Sequence, residues 1–209
     1  MTATRIAAII PVAALETAKS RLGDALDAEE RQDLAERLLT RTISAALGTD
    51  GLADVLVVSP DPGQLHRAAG FGARTLRQRS RGLNAGLTEA RADVLAGGAE
   101  GILVLPIDLA FVSAEALAAV LAALAGAGPA GAVVLVTDRH GTGTNALSLR
   151  PPDVIEFAFG PGSRRAHRDA AGKAGAAYAE MGGSLSFDID TPADLIATDL
   201  RAAGGTRGG

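Results

Sequence analysis

Solid apolar runs constrain this chain more than anything else in it: Ile6-Ala7-Ala8-Ile9-Ile10-Pro11-Val12, Val55-Leu56-Val57-Val58-Ser59, Ile102-Leu103-Val104-Leu105 and Ala132–Thr137. Each is short and lacks polar alternation, so each reads as a strand covered on both faces. Helical segments separate them. Asp27 followed by Glu30 forms a capping box, and Leu34, Leu38, Thr42 and Ala45 give that helix an inward stripe. Further helices are predicted from Pro62 to about Gly70, from Gly82-Leu83-Asn84 to near Gly97, over 114–125 behind Ser113, and over 164–174. Weaker strands are expected at 73–76, 145–149, 176–179 and 184–190. This alternation predicts an α/β fold built on a mostly parallel sheet.

The 209 residues suffice for one domain, taken as 1–203, with the glycine-rich 204–209 as a disordered tail. With 47% hydrophobic and 3% aromatic residues, the core must be aliphatic. The absence of cysteine excludes a disulfide framework and thiolate chemistry, and fits a cytoplasmic protein. A net charge of −4 argues against nucleic acid as a partner. Met1 to Arg5 lead directly into a strand, with no signal peptide. The uncharged stretch 116–137 is broken by Gly126, Gly128, Pro129 and Gly131, so it reads as a helix followed by a strand and not as a membrane span.

In such sheets ligands bind beyond the carboxyl ends of the strands. Asp188 and Asp190 lie two residues apart, so on a strand they aim to one side. Thr191 as N-cap, Pro192 at N1 and Asp194 at N3 start a helix immediately afterwards. Taken alone, this pair is equally a cation site or a solvated Asp190 beside a capping Asp188. Asp108 adds a third hard oxygen donor after another strand, and Mg²⁺ favours such carboxylates together with water and substrate phosphates. Gly160-Pro161-Gly162-Ser163 precedes a helix in the manner of an anion site, and Gly141-Thr142-Gly143-Thr144 allows close backbone approach. Neither is a P-loop, and no Gly-x-Gly-x-x-Gly follows the first strand, which argues against a dinucleotide cofactor. His66, His140 and His167 lack zinc-ligand spacing and read as solvated or hydrogen-bonded.

Taken in order, Pro11-Val12, Ala18-Lys19-Ser20-Arg21-Leu22, Gly82-Leu83-Asn84, Leu105-Pro106-Ile107-Asp108-Leu109, Gly141-Thr142-Gly143-Thr144-Asn145-Ala146-Leu147, Phe159-Gly160-Pro161-Gly162-Ser163 with His167, and Asp188-Ile189-Asp190-Thr191-Pro192 resemble one family. It is that of the phosphoenolpyruvate/2-phospho-L-lactate guanylyltransferases of coenzyme F-420 biosynthesis. The resemblance implies a three-layer α/β/α nucleotide-diphospho-sugar transferase (glycosyltransferase-A-like) fold. It further implies transfer of GMP from GTP to a three-carbon phospho-acid, with Mg²⁺ as cofactor and the product passed to the next enzyme of the pathway. A homodimer is compatible with it. By motif position Asp108, Asp188 and Asp190 would hold the metal. Thr144, Gly160 and Ser163 would hold the acid's phosphate, and Lys19 and Arg21 would face the triphosphate. Pro11, Val12, Lys19, Gly82 and Asn84 would line the nucleotide, and Lys19, Arg21 and Asp108 would act in catalysis.

The chain has Ala13 where family members commonly have Lys; Arg139, Arg164 or Arg165 are candidates to replace that charge. The acceptor is expected to be phosphoenolpyruvate, with 2-phospho-L-lactate and 3-phospho-D-glycerate as alternatives. Two other readings are a molybdopterin or sugar-phosphate nucleotidyltransferase, and a catalytically inactive nucleotide-binding subunit. The first is disfavoured by the missing glycine-rich loop after the first strand, the second by the three carboxylates being present.

Overall fold

The computed structural model describes residues 4–13, 26–126, 128 and 130–198. Along the chain these form β1 (Ile6–Pro11), α1 (Ala28–Leu47), β2 (Leu52–Ser59), α2 (Pro62–Gly70), β3 (Arg74–Arg77), α3 (Leu83–Ala96), β4 (Gly101–Val104), α4 (Ala114–Leu124), β5 (Ala132–Thr137), β6 (Thr144–Arg150), α5 (Ser163–Ala174), β7 (Ala177–Met181) and α6 (Pro192–Ala197). The strands make one seven-stranded sheet in the order β3-β2-β1-β4-β6-β5-β7. All neighbours are parallel except β6, which runs antiparallel to both β4 and β5. The short loop between β5 and β6 suits a hairpin, since a parallel pair would need a crossover of about a dozen residues.

The apolar runs behave as their composition dictates. Successive β1 residues point to opposite faces, and both faces are covered. Ala8 and Ile10 pack with Leu39 and Ile43 of α1 and Leu117 and Leu121 of α4. Ala7 and Ile9 pack with Leu87 and Val94 of α3 and Ala171 of α5. Ile9 and Ile10 are fully buried, and truncating either to alanine should cost about 2–5 kcal/mol. The Asp27–Glu30 capping box is present, with both side-chain-to-backbone bonds at 2.9 Å. A smaller cluster joins Leu34 and Leu38 of α1 to Ala110, Ile189 and Leu195, and so ties α6 and the residues before it to α1.

The structure corrects the predicted strand at 184–190. Ser184–Ser186 is a single 3-10 turn, and only an isolated bridge pairs Asp188 with Leu109. The Leu185 carbonyl finds its partner in the Asn145 side chain (3.0 Å), not in a neighbouring strand. The uncharged stretch divides between α4 and β5, and no helix among the described residues is long and apolar enough to cross a membrane. The expected tail at 204–209 lies outside the described residues.

Candidate functional site

The carboxylate wall forms where the residues after β4 meet the segment before α6. Ile189 N–H donates to the Asp108 carbonyl at 2.9 Å, and Ala110 N–H donates to the Phe187 carbonyl at 2.8 Å. Ile189 is fully buried in the cluster with Leu34 and Leu195. That buried side chain leaves Asp188 and Asp190 half-buried on either side of it. Two carboxylates thus flank one apolar anchor without a regular strand. Burial pushes the Asp188 carboxyl above its ordinary range, and the charges of Asp108 and Asp190 push the same way. Asp188 Oδ1 is buried and makes no hydrogen bond among the described residues.

Such a site calls for a proton or a cation, and a carboxylate oxygen is a hard donor of the kind Mg²⁺ takes. Among the described residues no group of three or more His, Cys, Asp or Glu side chains is placed so that it could hold a metal ion. A cation there would draw most of its ligands from water and substrate phosphate, as Mg²⁺ commonly does.

Asp194 proves more than a helix-dipole residue. It is 2% exposed, and its Oδ2 accepts from Asp190 N–H (2.9 Å) and Thr191 N–H (2.7 Å). Its Oδ1 pairs with Arg139 from the loop after β5. Arg139 also feels the fields of Asp188 and Asp190, and its guanidinium is held further into the charged form, chiefly by Asp194. The Thr191-to-Asp194 spacing signalled a cap; the partner on another loop had no sequence signal.

The second wall is built from β6 and α5. Thr144, at the start of β6, meets His167 of α5 with Oγ1 and Nδ1 3.1 Å apart. Ser163 and His167 lie one turn apart on the buried face of α5, 2% and 0% exposed. Gly160 has φ +131°, and a Cβ there would meet nothing within 4 Å. The turn is therefore open on that side, in a backbone conformation that favours glycine. Two N–H groups at the α5 terminus already have protein acceptors: Ser163 N–H donates to Gly160 O (3.1 Å) and Arg164 N–H to Thr142 O (3.3 Å). The glycine loop 141–143 is closed by Asp138, whose Oδ1 accepts from Thr142 N–H at 2.8 Å.

Other expected residues fall differently. Lys19 and Arg21 lie outside the described residues. Val12 is buried, and its N–H donates to Val58 O (2.9 Å); Pro11 is half-buried at the end of β1. Gly82 caps α3 with φ +93° and accepts from the Gln78 amide at 2.9 Å. Asn84 has both ends of its amide engaged by one backbone unit. Its Nδ2 donates to Phe159 O (3.0 Å) and its Oδ1 accepts from Phe159 N–H (2.9 Å), which clamps the loop before α5. Of the arginines proposed to replace the charge missing at Ala13, Arg139 is paired with Asp194 and Arg164 with Glu180 (2.7 Å). Arg165 is largely exposed, 3.4 Å from Asp169.

The fold is shared with solved nucleotide-processing enzymes. A protein from Desulfovibrio desulfuricans described as a nucleotide-diphospho-sugar transferase aligns with a TM-score of 0.75 at 14% identity, over 98% of this chain and 90% of its own. A 4-diphosphocytidyl-2C-methyl-D-erythritol synthase aligns at 0.65 with 16% identity, over 96% and 100%. The sheet is thus that of the nucleotide-diphospho-sugar transferase fold.

Residues 6–205 match the family "Guanylyl transferase CofC like", and the chain belongs to it, as a nucleotidyltransferase of the guanylyltransferase kind. It is 43% identical to the phosphoenolpyruvate guanylyltransferase of Sphaerobacter thermophilus, over 90% of this chain and 89% of that one. It is 44% identical to the protein of the same name from Rubrobacter xylanophilus, over 96% and 95%.

Proposed function

We propose that this chain transfers GMP from GTP to phosphoenolpyruvate in coenzyme F-420 biosynthesis, acting in the cytoplasm. A phosphate oxygen of the acid attacks the α-phosphorus of GTP. The bond from that phosphorus to the oxygen bridging it to the β-phosphate breaks, and pyrophosphate leaves. The product is enolpyruvyl-diphospho-guanosine, which the next enzyme of the pathway consumes.

The observation that carries this reading is the likeness, at 43–44% identity across nearly the whole chain, to relatives named for that reaction. The buried Asp188 oxygen, without a hydrogen-bond partner among the described residues, supports a cation at the site. Asp108, Asp188 and Asp190 would hold Mg²⁺, which when bound neutralises phosphate charge during transfer. Thr144, Gly160 and Ser163 would hold the acid's phosphate. Lys19 and Arg21 would meet the triphosphate, and Pro11, Val12 and Gly82 would lie toward the nucleotide.

The test is pyrophosphate release from purified protein, GTP and Mg²⁺ with each phospho-acid supplied separately. Release is expected with phosphoenolpyruvate. Release only with 2-phospho-L-lactate or 3-phospho-D-glycerate would reassign the acceptor, and release with none would defeat the proposal. Ala13→Lys should raise activity if the missing charge limits it.

A further inference from the structure

His167 is the most deeply buried ionisable side chain at this edge, and its hydrogen bonds specify its protonation. The Ala158 backbone N–H, which can only donate, points at His167 Nε2 from 2.9 Å. A proton on Nε2 would set two donors against each other, so Nε2 must be the acceptor. Imidazolium is excluded by the same contact, and burial lowers the group's pKa to about 4. Neutral His167 therefore carries its proton on Nδ1, and that N–H faces Thr144 Oγ1 at 3.1 Å. The hydroxyl oxygen accepts that hydrogen bond, so its own hydrogen must turn elsewhere. Among the described residues Thr144 Oγ1 makes no other hydrogen bond. A phosphate dianion presents only acceptors at neutral pH, so a hydroxyl held as a donor suits it.

We propose that His167 is a positioning residue which, by donating Nδ1–H to Thr144, commits the Thr144 hydroxyl to donate to the phosphate of the phospho-acid. The proposal rests on the reading of Thr144 as part of the acid site. The same imidazole grips the loop on its other side through Ala158, and the Phe159 ring meets it edge-on at 5.2 Å. One buried ring thus registers the Gly160 turn against Thr144.

The test combines a spectroscopic and a kinetic measurement. In ¹⁵N NMR of the wild-type protein, His167 should show the Nδ1–H tautomer at neutral pH. An Nε2–H or doubly protonated ring overturns the proposal without any variant having to fold. Kinetically, His167→Gln keeps an acceptor within reach of Ala158 but loses the donor to Thr144. It should raise KM for phosphoenolpyruvate about tenfold or more, the loss of one hydrogen bond to a charged group. KM for GTP should stay within about twofold, since the lost bond is not to the nucleotide. In a Thr144→Val background the same change should add little, because its intermediary is already gone. An unchanged KM for phosphoenolpyruvate, equal rises for both substrates, or full additivity would overturn the positioning role while leaving the proposed reaction intact. A wild-type protein that turns over no phospho-acid would instead remove the functional reading, and this proposal with it.

Discussion

Asp188 is the residue at which folding and function pull in opposite directions. Its carboxyl is raised by burial first and by Asp108 and Asp190 second. The native state therefore holds a proton that the unfolded chain gives up more readily. Its contribution to stability is complete below the unfolded value and is lost as pH rises through the folded one. At neutral pH the ionised group works against the fold, as charged groups at functional sites often do. Asp188→Asn should accordingly stay within about 0.5 kcal/mol of wild type, or exceed it, in urea unfolding, while turnover is lost. Strong destabilisation with near-normal turnover would contradict both parts.

His167 gives the opposite sign. Its folded value is about 4 against an ordinary 6.5, so the unfolded chain takes the proton first as pH falls. Stability is complete above about pH 6.5 and declines toward about pH 4, by at most about 1.4 kcal/mol per pH unit from this group. His167→Gln should flatten the stability–pH curve across that window, and an unchanged slope would show that the ring is not held neutral. The i, i+2 spacing of Asp188 and Asp190 was readable in the sequence. The Arg139–Asp194 pair and the Thr144–His167 contact were not, because their members lie 55 and 23 residues apart. No local pattern joins such partners.

At the scale of elements, the loop before α5 is fixed by side chains from two different helices. Arg91 of α3 is 7% exposed and donates to Ile155 O at 3.0 Å and to Glu156 Oε2 at 2.7 Å. Asn84 clamps both polar groups of the Phe159 backbone, and His167 holds Ala158. Asn84→Leu removes two of these bonds and should cost about 1–3 kcal/mol in chemical unfolding. Hydrogen exchange at the Phe159 amide should quicken, while the centre of α3 stays protected. Unchanged exchange at Phe159 would mean that the clamp does not hold the loop.

The apolar runs and the caps of α1 and α4 were legible because one dominant local force sets each. The 184–190 segment was not. Its period-2 pattern mimics a strand, but Gly183 (φ +99°) redirects the backbone and Asn145 takes the Leu185 carbonyl. Phe187 ends up exposed, edge-on to Phe111 at 5.8 Å.

At the scale of the whole molecule, one reversed strand organises the site. Because β6 runs antiparallel, its first residues, Thr144 and Asn145, arrive at the carboxyl end of the parallel strands. Successive strand residues face opposite ways. Thr144 therefore meets His167 of α5, while Asn145 turns toward Leu185 and the Asp188 segment. A single β-strand so links the proposed phosphate wall to the carboxylate wall. The sequence carried the alternation that builds the sheet and the short loop that permits the reversal. It did not carry the order of the strands, which depends on how the whole set of faces is covered.

The central claim is that these two walls serve one reaction on one acceptor, and a competition experiment addresses it most directly. Purified protein with GTP and Mg²⁺ is offered phosphoenolpyruvate, 2-phospho-L-lactate and 3-phospho-D-glycerate together, and the guanosine-containing products are identified by mass. The account predicts enolpyruvyl-diphospho-guanosine as the main product, formed in equal amount with pyrophosphate and absent with Asp190→Asn. A different diphospho-acid as the main product, or unaltered product from Asp190→Asn, would contradict it.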